Sequence, residues 1–220
     1  MNKHKAISFG LVSTVFLGIN LFFNTAPALA HHAMGGGLPA NFGEGFLSGL
    51  AHPVIGIDHL AFVIAIGLLA ALRNKLGIVI PVAFVAATAL GAVIHLQGIN
   101  LPAPEFIISA SVLGIGILLA RANQTNLWLL TGLAAIAGIF HGYAYAESIF
   151  GAEMATLEAY LLGFSLVQLI ISAIAFYSGQ VFLNRSAVKS PLSLRFAGFT
   201  ICGVGISFLG NVIIGLLLPV

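Results

Sequence analysis

Charged side chains are scarce in this chain of 220 residues. Only 6% of the residues are Asp, Glu, Lys or Arg, whereas 60% are hydrophobic. A soluble domain typically carries about 25% charged residues, so this chain has too few of them to cover a surface that faces water. The composition therefore predicts that most of the chain is surrounded by membrane lipid.

Several other features are also missing, and each absence narrows the function. The chain has one cysteine, Cys202, which excludes an internal disulfide and a CxxC zinc motif. It has no basic stripe with interleaved aromatic residues, so nucleic acid is not an expected partner. It also lacks a phosphate-binding loop, an HExxH motif and a GxSxG motif, which argues against ATP hydrolysis, a zinc metalloprotease and a serine hydrolase.

The N-terminus has the pattern of a secretory signal peptide. Lys3, His4 and Lys5 precede the apolar run "AISFGLVSTVFLGINLFF", and Ala28-Leu29-Ala30 has the small residues of a cleavage site. We therefore predict a cleavable signal peptide at residues 1–30. Residues 31–44, "HHAMGGGLPANFGE", are predicted to form a flexible exported lead-in.

Six apolar stretches of spanning length follow, given about 20 residues for each crossing. The predicted fold is therefore an all-α membrane protein, a six-transmembrane-helix bundle over residues 45–220. The predicted spans are 45–72, 76–97, 104–121, 126–146, 157–182 and 194–218. Three spans in each half also agree with an inverted repeat of the kind found in transporters.

The cations predict the orientation of the bundle. All of them beyond the signal peptide fall at the ends of alternate connections: Arg73, Lys75, Arg121, Arg185, Lys189 and Arg195. Cytoplasmic connections are enriched in Lys and Arg. We therefore predict a multi-pass protein of the bacterial inner membrane whose mature N- and C-termini are both exported.

The first span, "GLAHPVIGIDHLAFVIAIGLLAAL", contains His52, Asp58 and His59 within an otherwise apolar segment. The two histidines are seven residues apart, which puts them on nearly the same face of a helix, about two turns apart. Pro53 and Gly56 are expected to loosen the backbone between them. Ionisable groups at this depth are costly unless they are paired, and they commonly mark an ion path.

Further polar groups lie in the outer half of other spans. The fourth span contains His141 and Tyr145, four residues apart on one face, and Glu147 at its outer end. His95 ends the second span and Glu105 begins the third. The clustering towards one side of the membrane predicts a cation site that opens to the exported face.

Imidazole combined with carboxylate suits nickel, cobalt, zinc or copper(II). We expect the histidines of the first and fourth spans to bind the ion, with Glu105 and Glu147 attracting it or accepting protons. After signal cleavage, His31 would present an α-amine and an imidazole together, with His32 beside it, as a second metal site. The mobile-tail alternative for these two residues stays open.

Two motifs resemble signatures of one known family. "HPVIGIDHLAFVIAIG" resembles the HPxxGxDHxxxxxxxG signature of the HupE/UreJ proteins, and "FHGYAYAES" is similar to their FHGxAHGxE signature. The resemblance implies ligand roles for His52, Asp58, His59, His141 and Glu147, and implies that Glu105 is the acid of the family's third helix. The family's second histidine is Tyr145 here.

The HupE/UreJ proteins are regarded as nickel or cobalt permeases associated with hydrogenase and urease. The resemblance therefore implies a permease rather than an enzyme, with a link to the assembly of hydrogenase or urease metal centres. Two alternatives stay open: a membrane accessory protein or chaperone that binds copper or zinc, and an intramembrane hydrolase in which Ser109 or Ser111 pairs with His141. The sequence leaves the metal, the coupling ion and the oligomeric state open.

Overall fold

The computed structural model describes residues 37–121, 125–185 and 192–218. Within these ranges the chain forms seven α-helices and no strand, which confirms the all-α fold. The helices are α1 (Phe42–Ile55), α2 (Ile57–Ala71), α3 (Val79–Leu96), α4 (Pro104–Arg121), α5 (Leu127–Glu147), α6 (Met154–Arg185) and α7 (Leu192–Leu217), with a 3₁₀ helix at Asn74–Ile78 before α3. The predicted signal peptide, His31 and His32 lie outside the described residues.

The first predicted span is broken. Helices α3 to α7 are each long and apolar enough to cross a membrane, and α1 and α2 reach that length only as a pair bent by 78°. The break falls at Gly56, whose extended backbone lies three residues after Pro53. Proline removes a backbone hydrogen bond and crowds the preceding turn, so the expected loosening takes the form of a sharp bend. The described part of the chain therefore has five unbroken candidate spans and one bent pair.

The helices approach one another closely where glycines face a neighbouring backbone. A Cβ added at Gly138 of α5 would lie 2.6 Å from the Phe84 oxygen of α3, and one added at Gly45 of α1 would lie 2.6 Å from the oxygen of Thr156 on α6. A Cβ on Gly116 of α4 would lie 2.8 Å from the backbone nitrogen of Cys202 on α7. Small residues allow this approach inside a membrane, where hydrophobicity does not drive helix association.

The pattern of these pairs agrees with the predicted inverted repeat. Counting the bent pair as the first span, the main contacts join spans 1 and 5, spans 2 and 4, and spans 3 and 6. Exchanging spans 1–3 with spans 4–6 converts the first contact into the second and leaves the third unchanged. A site between the two halves is a common feature of such transporters.

The last residues of α2 and α4 contact α6 and α7 at one end of the bundle. The Arg195 Nε at the start of α7 donates to the Ala120 carbonyl at the end of α4, at 3.2 Å. The Gln180 side chain of α6 donates to the Ala71 carbonyl at the end of α2, at 2.7 Å. These are the ends that carry the cations, so the grouping agrees with the positive-inside prediction.

Helix α1 begins at Phe42, inside the segment predicted to be a flexible lead-in. Asn41 caps α1 by accepting a hydrogen bond from the Glu44 backbone N–H at 3.0 Å, and the Glu44 carboxylate accepts from the Ala40 N–H at 2.8 Å. This reciprocal capping satisfies N–H groups that the first turn leaves without partners. The last three residues of the predicted lead-in therefore belong to α1.

Candidate metal site at a broken helix

Three imidazoles from three helices meet inside the bundle. The centroid of the His59 ring on α2 lies 6.0 Å from that of His52 on α1 and 4.9 Å from that of His141 on α5. All three side chains are buried. We refer to His52, His59 and His141 as the imidazole cluster. The structure thus brings together the histidines of the first and fourth spans, which the sequence predicted to bind the ion.

The break at Gly56 brings two of these rings together, which corrects the expectation of one continuous helix face. Residues seven apart on a straight helix are separated by about 10.5 Å along its axis, much farther than the observed ring separation. A Cβ on Gly56 would lie 2.6 Å from the Cδ2 atom of His59. The glycine is therefore needed for space, because any side chain there would displace the His59 ring.

His59 and His141 contact each other through their Nδ1 atoms, which are 2.8 Å apart. On the other side of the His141 ring, Nε2 lies 3.1 Å from the Ser111 Oγ. Ser111 donates its only hydroxyl proton to the Ile108 carbonyl at 2.7 Å, so the Ser111 oxygen accepts a hydrogen bond from the His141 Nε2–H. This assignment, made from the hydrogen bonds, leaves the lone pair of His141 Nδ1 facing His59.

His52 is held by two hydroxyl groups. Its Nδ1 lies 2.9 Å from the Tyr160 hydroxyl and 3.1 Å from the Ser148 Oγ. Both hydroxyls donate to the Tyr145 carbonyl, at 2.9 and 3.0 Å. The N–H is therefore assigned to His52 Nδ1, which places the lone pair of this ring on the opposite nitrogen, Nε2. Fixing the tautomer by a hydrogen bond to the second nitrogen is a common feature of metal-binding histidines.

Tyr145 lies between these rings. Its ring centroid is 5.1 Å from that of His52 and 4.5 Å from that of His59, and its side chain is fully buried. The Tyr145 hydroxyl has no hydrogen-bond partner among the described residues. A buried hydroxyl without a partner lowers the stability of the folded protein by about 1–3 kcal/mol. A contact of this hydroxyl with a bound ligand would explain why it is present.

Asp58 is buried beside the imidazole cluster, in the first turn of α2. Its Oδ1 accepts a hydrogen bond from the His59 backbone N–H at 2.9 Å. A carboxylate is favourable at this end of a helix, where the helix dipole is positive. Asp58 therefore stabilises the helix that restarts after the break, and it also brings a negative charge next to the His59 ring.

Of the other predicted site residues, the two glutamates are exposed and His95 packs against other aromatic rings. Glu105 and Glu147 are exposed at opposite ends of their helices, at the start of α4 and the end of α5. His95 packs against the rings of Tyr143 and Phe150, with centroids 4.4 and 5.6 Å away. The outward attraction of cations expected of the two glutamates stays a prediction.

The ligand role expected of Glu147 stays a prediction, but the residue that matches the last letter of the signature is its neighbour Ser148. Aligned letter by letter, the last residue of the FHGxAHGxE signature falls on Ser148, and in the structure Ser148 contacts His52. The alignment could have found Ser148 from the sequence. Tyr160 had no such signal, because an isolated tyrosine in an apolar helix resembles a packing residue.

In this structure the imidazoles are not arranged as the ligands of a metal ion. Within residues 37–121, 125–185 and 192–218, no group of three or more His, Cys, Asp and Glu side chains is arranged to hold a metal ion. The direct contact of two Nδ1 atoms explains part of this. Two nitrogens that each lie about 2.0–2.1 Å from one ion are usually somewhat farther apart than 2.8 Å. Binding therefore requires a small rotation of these rings.

Comparison with known proteins shows the family. The sequence profile described as "HupE / UreJ protein" matches residues 19–208. The chain belongs to the HupE/UreJ family. It is also 32% identical over 146 residues to Protein HupE of Rhizobium leguminosarum bv. viciae, an alignment that covers 66% of this chain and 73% of that protein. No solved structure matches the chain. The resemblance predicted from the two signatures is confirmed, and HupE/UreJ membership together with the spans makes this a multi-pass membrane protein of a transporter family.

Proposed function

We propose that this chain is a secondary permease that takes up a divalent transition metal, nickel or cobalt in the first place, from the exported side of the bacterial inner membrane. The observation that carries the proposal is the meeting of His59 and His141, whose Nδ1 atoms are 2.8 Å apart although the residues belong to different spans. HupE/UreJ membership supports transport rather than catalysis.

The geometry supports reversible binding of an ion. The ion would take the place of the proton that His59 Nδ1 now donates to His141 Nδ1, which requires the His59 proton to move to the other ring nitrogen. His52 would be a third ligand after the small ring rotation. The neutral imidazoles leave its charge largely uncompensated, and Asp58 lies close enough to offset part of it. An ion of charge +2 gains about 4.6 kcal/mol on crossing 100 mV, at about 2.3 kcal/mol per charge. The membrane potential could therefore drive uptake without ATP.

The side chains around the rings favour nickel, cobalt, zinc or copper(II) over copper(I). The cluster combines imidazoles with hydroxyl and carboxylate oxygens, and soft thiolate ligands are what copper(I) prefers. Cys202 lies on α7, where its Sγ is 3.9 Å from the Leu113 carbonyl. We further propose that the imported metal supplies the assembly of a hydrogenase or urease, and that His31 and His32 form a separate exported site.

The two alternatives make different use of the same residues. A chaperone or accessory protein that holds copper or zinc would bind the ion at the imidazole cluster without moving it. For a hydrolase, the contact between Ser111 and His141 is the relevant observation. In the hydrogen-bond assignment given above, Ser111 donates to Ile108 and His141 Nε2 donates to Ser111, which is the reverse of the direction that activation of a serine by a histidine base requires.

Uptake of Ni²⁺ and Co²⁺ into proteoliposomes, with an inside-negative potential, tests the proposal. We expect the unmodified protein to accumulate the ion, His59→Ala to lose binding and uptake, and His95→Ala to keep both. His95→Ala is the matched control because it removes an imidazole outside the imidazole cluster. Binding without uptake would support the chaperone, and unchanged binding in His59→Ala would refute the site.

A further inference from the structure

Gln168 is a fully buried polar side chain in the middle of the longest span, α6. It shares one face of this helix with Tyr160 and Phe164, at successive four-residue intervals, and both of these side chains are also fully buried. Polar groups in the interior of a membrane protein are costly and usually face a cavity or an ion path. Each polar atom of Gln168 is therefore expected to have a hydrogen-bond partner or another ligand.

The amide nitrogen of Gln168 has two partners. Nε2 donates to the Phe164 carbonyl at 3.0 Å and to the Thr88 Oγ1 at 3.4 Å. Thr88 donates its own proton to the Val85 carbonyl at 2.8 Å, so it is an acceptor for Gln168. These contacts determine the orientation of the amide, because a flipped side chain would place its oxygen against the Phe164 carbonyl.

With this orientation, the amide oxygen of Gln168 faces away from both of these partners. Gln168 Oε1 has no hydrogen-bond partner among the described residues, although it is buried. An apolar side chain of similar size would fill the same space between α3 and α6 without leaving an acceptor unsatisfied. A buried acceptor without a partner destabilises the folded protein. A ligand that binds this oxygen transiently, during transport, would explain why a polar side chain is present here.

Thr88 links Gln168 to the turn of α5 that carries His141. The Thr88 carbonyl occupies the place that a Cβ on Gly142 would take, and Gly142 directly follows His141. In addition, the Phe164 ring is 5.3 Å from the Tyr145 ring, at the edge of the imidazole cluster. Gln168 is one helical turn farther than Phe164 from the connection between α5 and α6, and so lies on the inward side in the predicted orientation.

We propose that Gln168 Oε1 is a second station, that is, a transient binding site, for the divalent cation, on the inward side of the imidazole cluster in the predicted orientation. This inference rests on the proposed permease function. A neutral amide oxygen binds the ion, or a water molecule in its hydration shell, without adding a charge that would trap it. Conduction requires several sites that each bind weakly enough to release the ion. The station would accept the ion when the imidazoles release it.

Transport and binding, measured separately in proteoliposomes and in detergent, test this station with Ni²⁺ as the probe. We expect Gln168→Leu to lower the maximal uptake rate by about tenfold, which corresponds to about 1.4 kcal/mol in the barrier. The Ni²⁺ dissociation constant of the imidazole cluster should stay within about twofold of that of the unmodified protein, because no ligand of the cluster is removed, and about twofold is only about 0.4 kcal/mol.

Thr88→Val is the matched control. It removes the contact of Thr88 with Gln168 and keeps Oε1, so we expect nearly normal uptake. Normal uptake by Gln168→Leu overturns the station, and an equal loss in Thr88→Val also overturns it, because the helix contact then explains the effect. If Gln168→Leu does not fold, Gln168→Asn, which withdraws the oxygen by about 1.5 Å, replaces it with the same two readouts.

The same measurements separate this inference from the permease proposal. If the unmodified protein takes up no Ni²⁺ or Co²⁺, both proposals fail. If it takes up the ion and His59→Ala does not, while Gln168→Leu transports normally, the permease stands and only the station is refuted.

Discussion

The two signature segments reach the imidazole cluster by different means. Residues 52–59 cross a helix break, and the bend at Gly56 brings His52 and His59 together. Residues 141–148 lie on α5 and its last turn, where ordinary helical spacing places His141 and Tyr145 on the face that meets His59. The first segment depends on backbone geometry, whereas the second depends on which side chains occupy a regular helix. Substitutions can therefore test each segment separately.

The largest expected effect comes from removing a ligand of the second segment. His141→Ala should weaken Ni²⁺ binding by more than about 100-fold, since the outer partners of metal ligands alone are worth about 10–100-fold. Isothermal titration of the purified protein in detergent measures this change. A loss of less than about tenfold, with His95→Ala unchanged, would show that the ion binds somewhere else.

The backbone of the first segment is tested by Gly56→Ala. The new Cβ would lie 2.6 Å from the His59 Cδ2 atom, so the ring must move. A misplacement of about 1 Å in an active site can cost about 100-fold, and we expect a loss of Ni²⁺ affinity approaching that size. Gly132→Ala is the control, because a Cβ there meets no atom within 4 Å. Equal affinities in both variants would show that the bend does not position the site.

The sequence predicted the regular part of the molecule better than the irregular part. Hydropathy placed the helices α3 to α7 within a few residues, and the predicted third span coincides with α4, Pro104–Arg121. It did not predict a 78° bend, because apolar residues continue on both sides of Gly56 and lipid tolerates either geometry. Composition and spacing carry no information on the direction of a bend, which depends on packing against α6.

The same limit applies to the site. Histidine and aspartate are conspicuous in apolar segments, so His52, Asp58, His59 and His141 could be found from the sequence. Serine and tyrosine are not conspicuous there, since membrane helices contain many hydroxyl groups that bind only their own backbone. Tyr160 and Ser148 are distinguished from such residues only by the tertiary contact with His52.

The hydrogen bond that orients His141 should have the next largest effect. Ser111 contributes to the wall of an apolar pocket of about 510 Å³, so Ser111→Ala leaves the His141 Nε2–H facing apolar atoms. The proton can then move to Nδ1, the ligand nitrogen. We expect Ni²⁺ affinity to fall by about 10–100-fold, as for other outer partners of metal-binding histidines.

Nitrogen NMR of the imidazoles, which distinguishes the two tautomers, measures the cause directly. Ser109→Ala is the control, because Ser109 donates to the Glu105 carbonyl on the same helix. We expect Ser111→Thr to restore much of the affinity, since it returns the hydroxyl. An unchanged tautomer in Ser111→Ala would contradict the orienting role.

The smallest expected effect concerns the hydroxyl of Tyr145. In the absence of metal, Tyr145→Phe removes a buried hydroxyl that has no partner among the described residues, so we expect the protein to become more stable by up to about 1 kcal/mol. Tyr160→Phe is the opposite case, because the Tyr160 hydroxyl contacts His52, Ser148 and the Tyr145 carbonyl. That variant should be destabilised by about 1 kcal/mol.

Thermal unfolding in detergent, with and without saturating Ni²⁺, then shows whether the Tyr145 hydroxyl contacts the bound ion. A ligand that binds only the folded state stabilises it in proportion to its affinity. If the hydroxyl contacts the bound ion or its water, Tyr145→Phe binds Ni²⁺ less tightly and loses its advantage when the metal is present. If the advantage persists with metal, the hydroxyl plays no part in binding. The second segment would then contribute a single ligand, His141, while the first would contribute two imidazoles and the nearby charge of Asp58.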